Sequence, residues 1–382
     1  MNKDKKPLPK RWITCPIEEE YFGEERKAKK HEKKRVIAKD RSKYKKTDLD
    51  QRKKHVEQEP KSGTEEFLRG RVLSINPEGI IVDWEGKSIL CTLRGVLKKD
   101  KTLHKNLVTI GDFVLFELQS DNNGVIASIE ERRTVLSRAD NLSRRKEQLI
   151  AANIDQVIIT ASVITPSLKT SLIDRYIIAA RKGGMTPVIV INKVDLLDDP
   201  EFDEAVREQE KAILEETVKA YAALDIPLIV MSAEKGVGLD ALETVMRGKA
   251  SVFSGQSGVG KSSLINAVTG TDLRTGKIVL KTRKGAHTTT TAQLVPLSHG
   301  GWCIDTPGIK SFGVWNLKRD EIEAYFSEIH ECGRKCYFPD CSHTHEKGCA
   351  VIEAVENETI SPLRYLSYVT LIETINEEHV RR

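Results

Sequence analysis

The stretch Gly255-Gln256-Ser257-Gly258-Val259-Gly260-Lys261-Ser262 decides how this chain of 382 residues is read. An apolar, β-branched run, ASVFSG at 250–255, leads into it, and an apolar helical segment, SLINAV, follows from Ser263. Strand, glycine-rich loop and helix in that order, with the pattern GxxxxGK[ST], are the parts of a phosphate-binding P-loop. The glycines let successive backbone N–H groups turn inward around phosphate oxygens, and the helix N-terminus favours negative charge. Lys261 would reach the β- and γ-phosphates and Ser262 would hold Mg²⁺. Gly255 through Gly260, with Ser263, would line the phosphates.

Outward from the P-loop, apolar runs alternate with helical stretches. QVIIT (156–160), PVIVIN (187–192), PLIVMS (227–232) and GWCID (301–305) read as buried strands; 170–182, 201–223, 239–246 and 261–268 read as helices. That alternation predicts an α/β layer structure around a mostly parallel sheet. Such sheets bind ligands at the carboxyl ends of their strands, and three further motifs fall there. Asn192-Lys193-Val194-Asp195 ends one strand. An aspartate at position 195 can accept from both N1–H and the N2 amino group of guanine, a pair that adenine lacks. Asn192 would brace the loop and the base, and the Lys193 stem would lie on the purine face. Ser232-Ala233 ends the next strand and would offer a backbone N–H to guanine O6. Asp305-Thr306-Pro307-Gly308 ends another: Asp305 would bind Mg²⁺ through water, and the Gly308 N–H would meet the γ-phosphate. Between P-loop and Gly308 lies KGAHTTTT (284–291), a switch I candidate in which Thr288 or Thr289 completes the Mg²⁺ shell. The base-reading motifs precede the P-loop, the reverse of the common order. A pocket needs these loops adjacent in space, not in sequence, so a circularly permuted chain builds the same GTP site.

The last stretch, 318–382, reads as mainly helical around a cysteine cluster. Four of the seven cysteines fall within 332–349. Cys336, Cys341, His343 and Cys349 make a three-thiolate, one-imidazole set that suits a closed tetrahedral Zn²⁺ site, with Cys332 and His345 as possible substitutes. Before the α/β region, five short strand-like stretches between 67 and 132, punctuated by glycine, proline and asparagine, predict a small barrel. An OB-fold fits, and periodicity alone does not separate it from an SH3-like barrel.

Residues 1–60 carry 20 Lys+Arg against 12 Asp+Glu, a net +8, whereas the remainder carries −3. With few apolar residues, this segment reads as a basic, largely disordered extension, either a solvated tail or an arm along nucleic-acid phosphates. No apolar run reaches membrane-span length, and the first residues lack the apolar stretch of a signal peptide. A cytoplasmic protein, expected as a monomer, is the reading that remains. The division expected is 1–62 extension, 63–138 barrel, 150–316 permuted GTPase domain and 317–382 zinc-binding helical domain.

Taken together, the permuted order, GQSGVGKSSL, GAHTTT, DTPG and CxxxxCxHxxxxxC resemble the ribosome small-subunit-dependent GTPase A family (RsgA, also called YjeQ). The resemblance covers about residues 66–375. It implies an N-terminal OB-fold, a permuted GTPase domain and a C-terminal zinc domain. It further implies GTP hydrolysis stimulated by the small ribosomal subunit, with the subunit and its rRNA as partners in late maturation. The family's usual GRHTTT is GAHTTT here, with Ala286 in place of the arginine. Ras-like enzymes place a water-orienting glutamine just after DxxG, but here that position is Ile309. The resemblance and its place beside the switch I threonines point instead to His287 as the catalytic residue. A second functional class stays open, a GTP-regulated translation or stress factor not dedicated to subunit assembly.

Overall fold

The computed structural model describes residues 67–95, 107–139, 147–270, 292–305 and 319–380. The extension expected over 1–62 and the switch I candidate lie outside them. The chain first forms β1 (Leu68–Asn76), β2 (Gly79–Trp84), β3 (Lys87–Leu93), β4 (Phe113–Ser120) and β5 (Asn123–Ile129). These run in the order β1-β2-β3-β5-β4, and β4 returns to pair with β1, so the barrel closes. Alternation along the strands turns Val72, Val82, Ile89, Val114, Phe116 and Ile126 inward. Gly124 has to be small: a Cβ there would lie 2.8 Å from the Phe116 ring and 3.0 Å from the Cys91 sulfur.

A hairpin that the sequence reading did not anticipate follows, β6 (Val135–Ala139) and β7 (Glu147–Ala152). Its anchor is Asn153, whose amide donates to the Gly111 carbonyl (3.1 Å) and whose side-chain oxygen accepts from the Arg133 N–H (2.9 Å). The Asn153 carbonyl in turn accepts from the Arg71 guanidinium at 2.7 Å, fixing the barrel to the hairpin.

The α/β layer comprises β8 (Gln156–Ser162), α1 (Thr170–Lys182), β9 (Thr186–Asn192), α2 (Glu204–Ala222), β10 (Leu228–Val230), α3 (Leu239–Met246), β11 (Ala250–Gly255), α4 (Lys261–Thr269), β12 (Gln293–Pro296) and β13 (Trp302–Asp305). Its strand order is β10-β9-β8-β11-β13-β12, parallel except for β12. β8 and β11 are buried at every position, which is why they read as mostly apolar runs without an exposed alternate face. Ile158, Val188, Val190 and Phe253 pack with Leu242 and Met246 of α3 and with Leu264 and Val268 of α4. β10, expected over 227–232, is only three residues long, as befits an edge strand. β12 pairs with β1 through Ser74 and Gln293, so barrel and sheet share one ladder of eleven strands.

The C-terminal part is helical, as expected: α5 (Arg319–Tyr325), α6 (Ser327–Gly333), α7 (Ala350–Glu356) and α8 (Pro362–Val380). Its apolar core of Ile322, Phe326, Ile329, Val351, Tyr368 and Leu371 also takes in Ile178 of α1, so it is built onto the GTPase layer. A buried polar network crosses the same boundary. Arg364 of α8, 3% exposed, pairs with Asp174 of α1, 1% exposed, and donates from Nε to Glu328 of α6 at 2.7 Å. The Tyr221 hydroxyl of α2 donates to the same Asp174 oxygen at 2.8 Å, and the guanidinium lies 4.2 Å from the Phe326 ring centroid. Burial opposes the charge on Arg364, but Asp174, Tyr221 and Glu328 outweigh it and hold the guanidinium above its ordinary value. Arg364→Ala strands Asp174 in the interior. It is expected to lower the unfolding free energy by about 3–5 kcal/mol, with Arg364→Met combined with Asp174→Asn recovering most of the loss. Urea unfolding of the full chain measures both, and an Arg364→Ala cost near that of a surface pair, under about 1 kcal/mol, would contradict the interior role.

Candidate nucleotide and metal sites

Four motif loops leave the sheet at one edge, the carboxyl ends of the parallel strands. Asn192 ends β9, Ser232 follows β10, Gly255 ends β11 and Asp305 ends β13. β11 sits between β8 and β13, so loops remote in sequence become neighbours. The P-loop glycines answer specific demands. Gly255 (φ 146°) runs against the Thr160 carbonyl, leaving no room for a side chain, and Gly258 (φ 85°) holds a backbone that L side chains rarely adopt. α4 begins at Lys261 and puts Ser262 and Ser263, both exposed, in its first turn. The Lys261 ammonium donates to the carbonyls of Gly255 (2.8 Å) and Gln256 (2.6 Å), within the loop it is expected to complete around phosphate.

Asn192 ties three of the four loops together. It is buried at the end of β9, its amide donates to the Val259 carbonyl of the P-loop at 2.9 Å, and its side-chain oxygen accepts from the Ala233 N–H at 2.9 Å. Ser232-Ala233 is expected to offer a backbone N–H to guanine O6; in the structure the Ala233 N–H donates to Asn192 and the Ser232 N–H to the Val237 carbonyl at 3.0 Å. Ser232 is buried, and its hydroxyl accepts from the Lys235 N–H at 3.1 Å, closing the turn. Lys193 adopts the left-handed region (φ 66°) and donates from Nζ to the Thr165 carbonyl at 2.7 Å. Asp195 stands half-buried in a single 3-10 turn, Val194–Leu197. His287, Thr288, Thr289 and Gly308 lie outside the described residues.

The second site gathers Cys336, Cys341, His343 and Cys349, whose ligand atoms all lie within 4.8 Å of one another. Cys336 Sγ is 3.8 Å from Cys349 Sγ, and His343 Nδ1 is 3.5 Å from each of those two sulfurs. Metal–sulfur and metal–nitrogen bonds of about 2.3 and 2.05 Å at tetrahedral angles give edges of about 3.8 and 3.6 Å, so the Cys336, His343 and Cys349 face of the cage has the size a tetrahedral metal needs. Burial pushes the Cys341 thiol up to about 12, and a cation among the four groups would favour its thiolate. Cys332 and His345 stay out of the cluster. The Cys332 thiol donates to the Ala350 carbonyl at 3.3 Å, and exposed His345 pairs with the Thr344 hydroxyl at 2.8 Å.

Two supporting carboxylates escaped the sequence reading. Glu323 of α5 reaches the far ring nitrogen of His343, Nε2, at 3.6 Å, the position from which a carboxylate orients a metal-bound imidazole. Glu346 accepts backbone N–H groups from Ser342 (2.6 Å), Thr344 (3.2 Å) and His345 (3.1 Å), holding His343 in a left-handed conformation (φ 60°). Those bonds outweigh burial and keep the Glu346 carboxyl well below the usual carboxylate range. Glu346 was legible in principle, three residues beyond a ligand. Glu323, on another helix, was not.

A closed five-stranded barrel followed by a P-loop sheet whose base-reading loops precede its phosphate loop defines a circularly permuted GTPase. The chain belongs to the RsgA GTPase family, whose model matches residues 129–315, and it is a GTP-hydrolysing enzyme that uses Mg²⁺ with its nucleotide. It is 38% identical over 323 residues to the small ribosomal subunit biogenesis GTPase RsgA of Chlorobaculum parvum, spanning 82% of this chain and 99% of that relative. It is 36% identical over 306 residues to the protein of the same name from Thermotoga maritima, spanning 79% of this chain and 95% of that one. Among solved structures it resembles YjeQ from Thermotoga maritima (TM-score 0.63, 32% identity, 81% of this chain and 98% of that chain). It also resembles YloQ, described as a circularly permuted GTPase (TM-score 0.63, 27% identity, 82% and 96%). Among the described residues no helix is long and apolar enough to cross a membrane.

Proposed function

We propose that this GTPase binds the small ribosomal subunit and its rRNA and acts in the subunit's late maturation, with hydrolysis stimulated by the subunit. The observation that carries this is one sheet edge from which the loop at 192–195, the Ser232-Ala233 loop and the P-loop leave and at which β13 ends on Asp305, in a chain that spans 99% of a relative named for small-subunit biogenesis. Asp195, with Asn192, Lys193, Ser232 and Ala233, would recognise guanine. Gly255 to Gly260, Lys261, Ser262 and Ser263 would cradle the phosphates, with Thr288, Thr289 and Gly308 at the γ-phosphate. Ser262, Thr288 and Asp305 would hold Mg²⁺, which when bound neutralises charge developing on the phosphates. Lys261 would exchange its P-loop carbonyls for phosphate oxygens as nucleotide enters.

The barrel's strand order supports the OB-fold reading, and the division into a basic extension (1–62), barrel (63–138), GTPase (150–316) and metal-binding helical domain (317–382) belongs to this proposal. So do a cytoplasmic location and a monomeric state. The four-ligand cage would hold Zn²⁺ and organise a region with a small core of its own. Elemental analysis is expected to find about one zinc per chain, in keeping with a closed four-ligand structural site. Cys349→Ala should loosen 320–375 while GDP affinity holds; protein purified without chelator yet essentially zinc-free would contradict the assignment. Sedimentation of the tagged protein through a sucrose gradient with a non-hydrolysable GTP analogue tests the function itself. Comigration with small subunits is expected, and migration with none of the ribosomal particles favours a regulator that works elsewhere.

A further inference from the structure

The loop between Cys336 and Cys341 carries two neighbouring aromatics that the fold leaves outside. Tyr337 is 79% exposed and Phe338 45%. The other exposed large apolar residues among those described, Phe67, Leu118, Val206 and Val237, are single positions. The two rings meet edge to face, with centroids 4.9 Å apart and planes at 86°. That arrangement leaves ring faces open that a stacked pair would cover.

The loop is anchored. It begins and ends on cysteines of the metal cage, the Tyr337 N–H donates to the Gly348 carbonyl (3.3 Å), and the Cys341 N–H donates to the Phe338 carbonyl (3.2 Å). Presenting the rings therefore requires little further ordering of the backbone. Exposed Arg334 and Lys335 lead into the loop, and exposed Lys347 stands beside the Gly348 that Tyr337 bonds. The exposed carboxylate inside the loop is Asp340, while Glu346 is occupied by backbone N–H groups. Open π faces with exposed cations nearby along the chain suit a nucleobase, which stacks on the ring while its phosphates meet the charges. An aliphatic protein surface would gain nothing from the cations.

We propose that Tyr337 and Phe338 form a stacking platform for an unpaired base of single-stranded RNA, with Arg334, Lys335 and Lys347 on the adjoining phosphates. This deepens the proposed function, on which it rests for the source of the RNA.

The test uses the full chain, a fluorescein-labelled oligouridylate and purified small subunits. Tyr337→Ala with Phe338→Ala is expected to weaken oligouridylate binding about 5- to 150-fold, the range for loss of one stacked base. Tyr337→Trp should keep the affinity, and its added emission should be quenched as RNA saturates. Metal content and GDP affinity should match the unmodified chain; if the double variant loses metal, Tyr337→Trp carries the test. Emission unmoved by saturating RNA, or a double variant binding within about 2-fold of the unmodified chain, far below the stacking range, overturns the proposal. A double variant that loses subunits but keeps oligouridylate also overturns it, since the rings then seat on protein. Quenching by oligouridylate in a chain that ignores small subunits upholds the platform and removes the ribosomal reading instead.

Discussion

Asp195→Asn is expected to reverse the base preference of the GTP site. Asp195 leaves the end of β9 in a single 3-10 turn, half-buried, with left-handed Lys193 turning the chain toward it. Its loop is fixed by Asn192, which bonds the P-loop on one side and the Ala233 loop on the other. A carboxylate held there would accept from N1–H and the N2 amino group of guanine. An amide in the same place presents an N–H₂ group to the guanine amino group, donor against donor, whereas the C2 carbonyl of xanthine accepts it. Sites that hydrogen-bond a ligand reject a mismatched analogue by about 10,000-fold. Competition against labelled GDP should show a loss approaching that size for GTP, a gain for xanthosine triphosphate, and no change in the poor affinity for ATP. ATP competing equally with GTP in the unmodified protein would refute the assignment of the loop.

His287→Ala is expected to leave GTP affinity and subunit binding intact while removing most of the stimulated hydrolysis. The position after DTPG holds Ile309, which offers no hydrogen bond to water, so another group must place the nucleophile. A neutral imidazole beside the switch I threonines can accept a proton or orient water at neutral pH. General-base groups contribute about 100-fold or more, and single-turnover hydrolysis on subunits should fall by that factor. The variant should then accumulate on small subunits with GTP. Full stimulation without the imidazole would mean that the partner or another residue places the water.

The nucleotide site was legible because each motif couples a chemical demand to a strand end. Residues 250–255 form a strand with every position buried, and the glycines after it occupy conformations that other residues avoid. The cage was legible because thiolates and an imidazole crowd into a few turns of chain. What escaped depends on contacts that sequence spacing does not encode. Asp174 and Arg364 are 190 positions apart. β12 is four residues ending in proline and exposed at both ends, yet it joins barrel to sheet. The β6–β7 hairpin carries no alternating apolar pattern, and beside its own antiparallel ladder it is anchored by Asn153. The closure of the barrel emerged only with the β4–β1 pairing, since five short strands fit more than one closure.

The central claim, a GTPase switched on by the small ribosomal subunit, is tested most directly by single-turnover hydrolysis of GTP by the full chain, alone and with purified small or large subunits. Slow turnover alone, at least about 10-fold faster turnover with small subunits and no acceleration by large subunits is the predicted result. The same rate under all three conditions would contradict it.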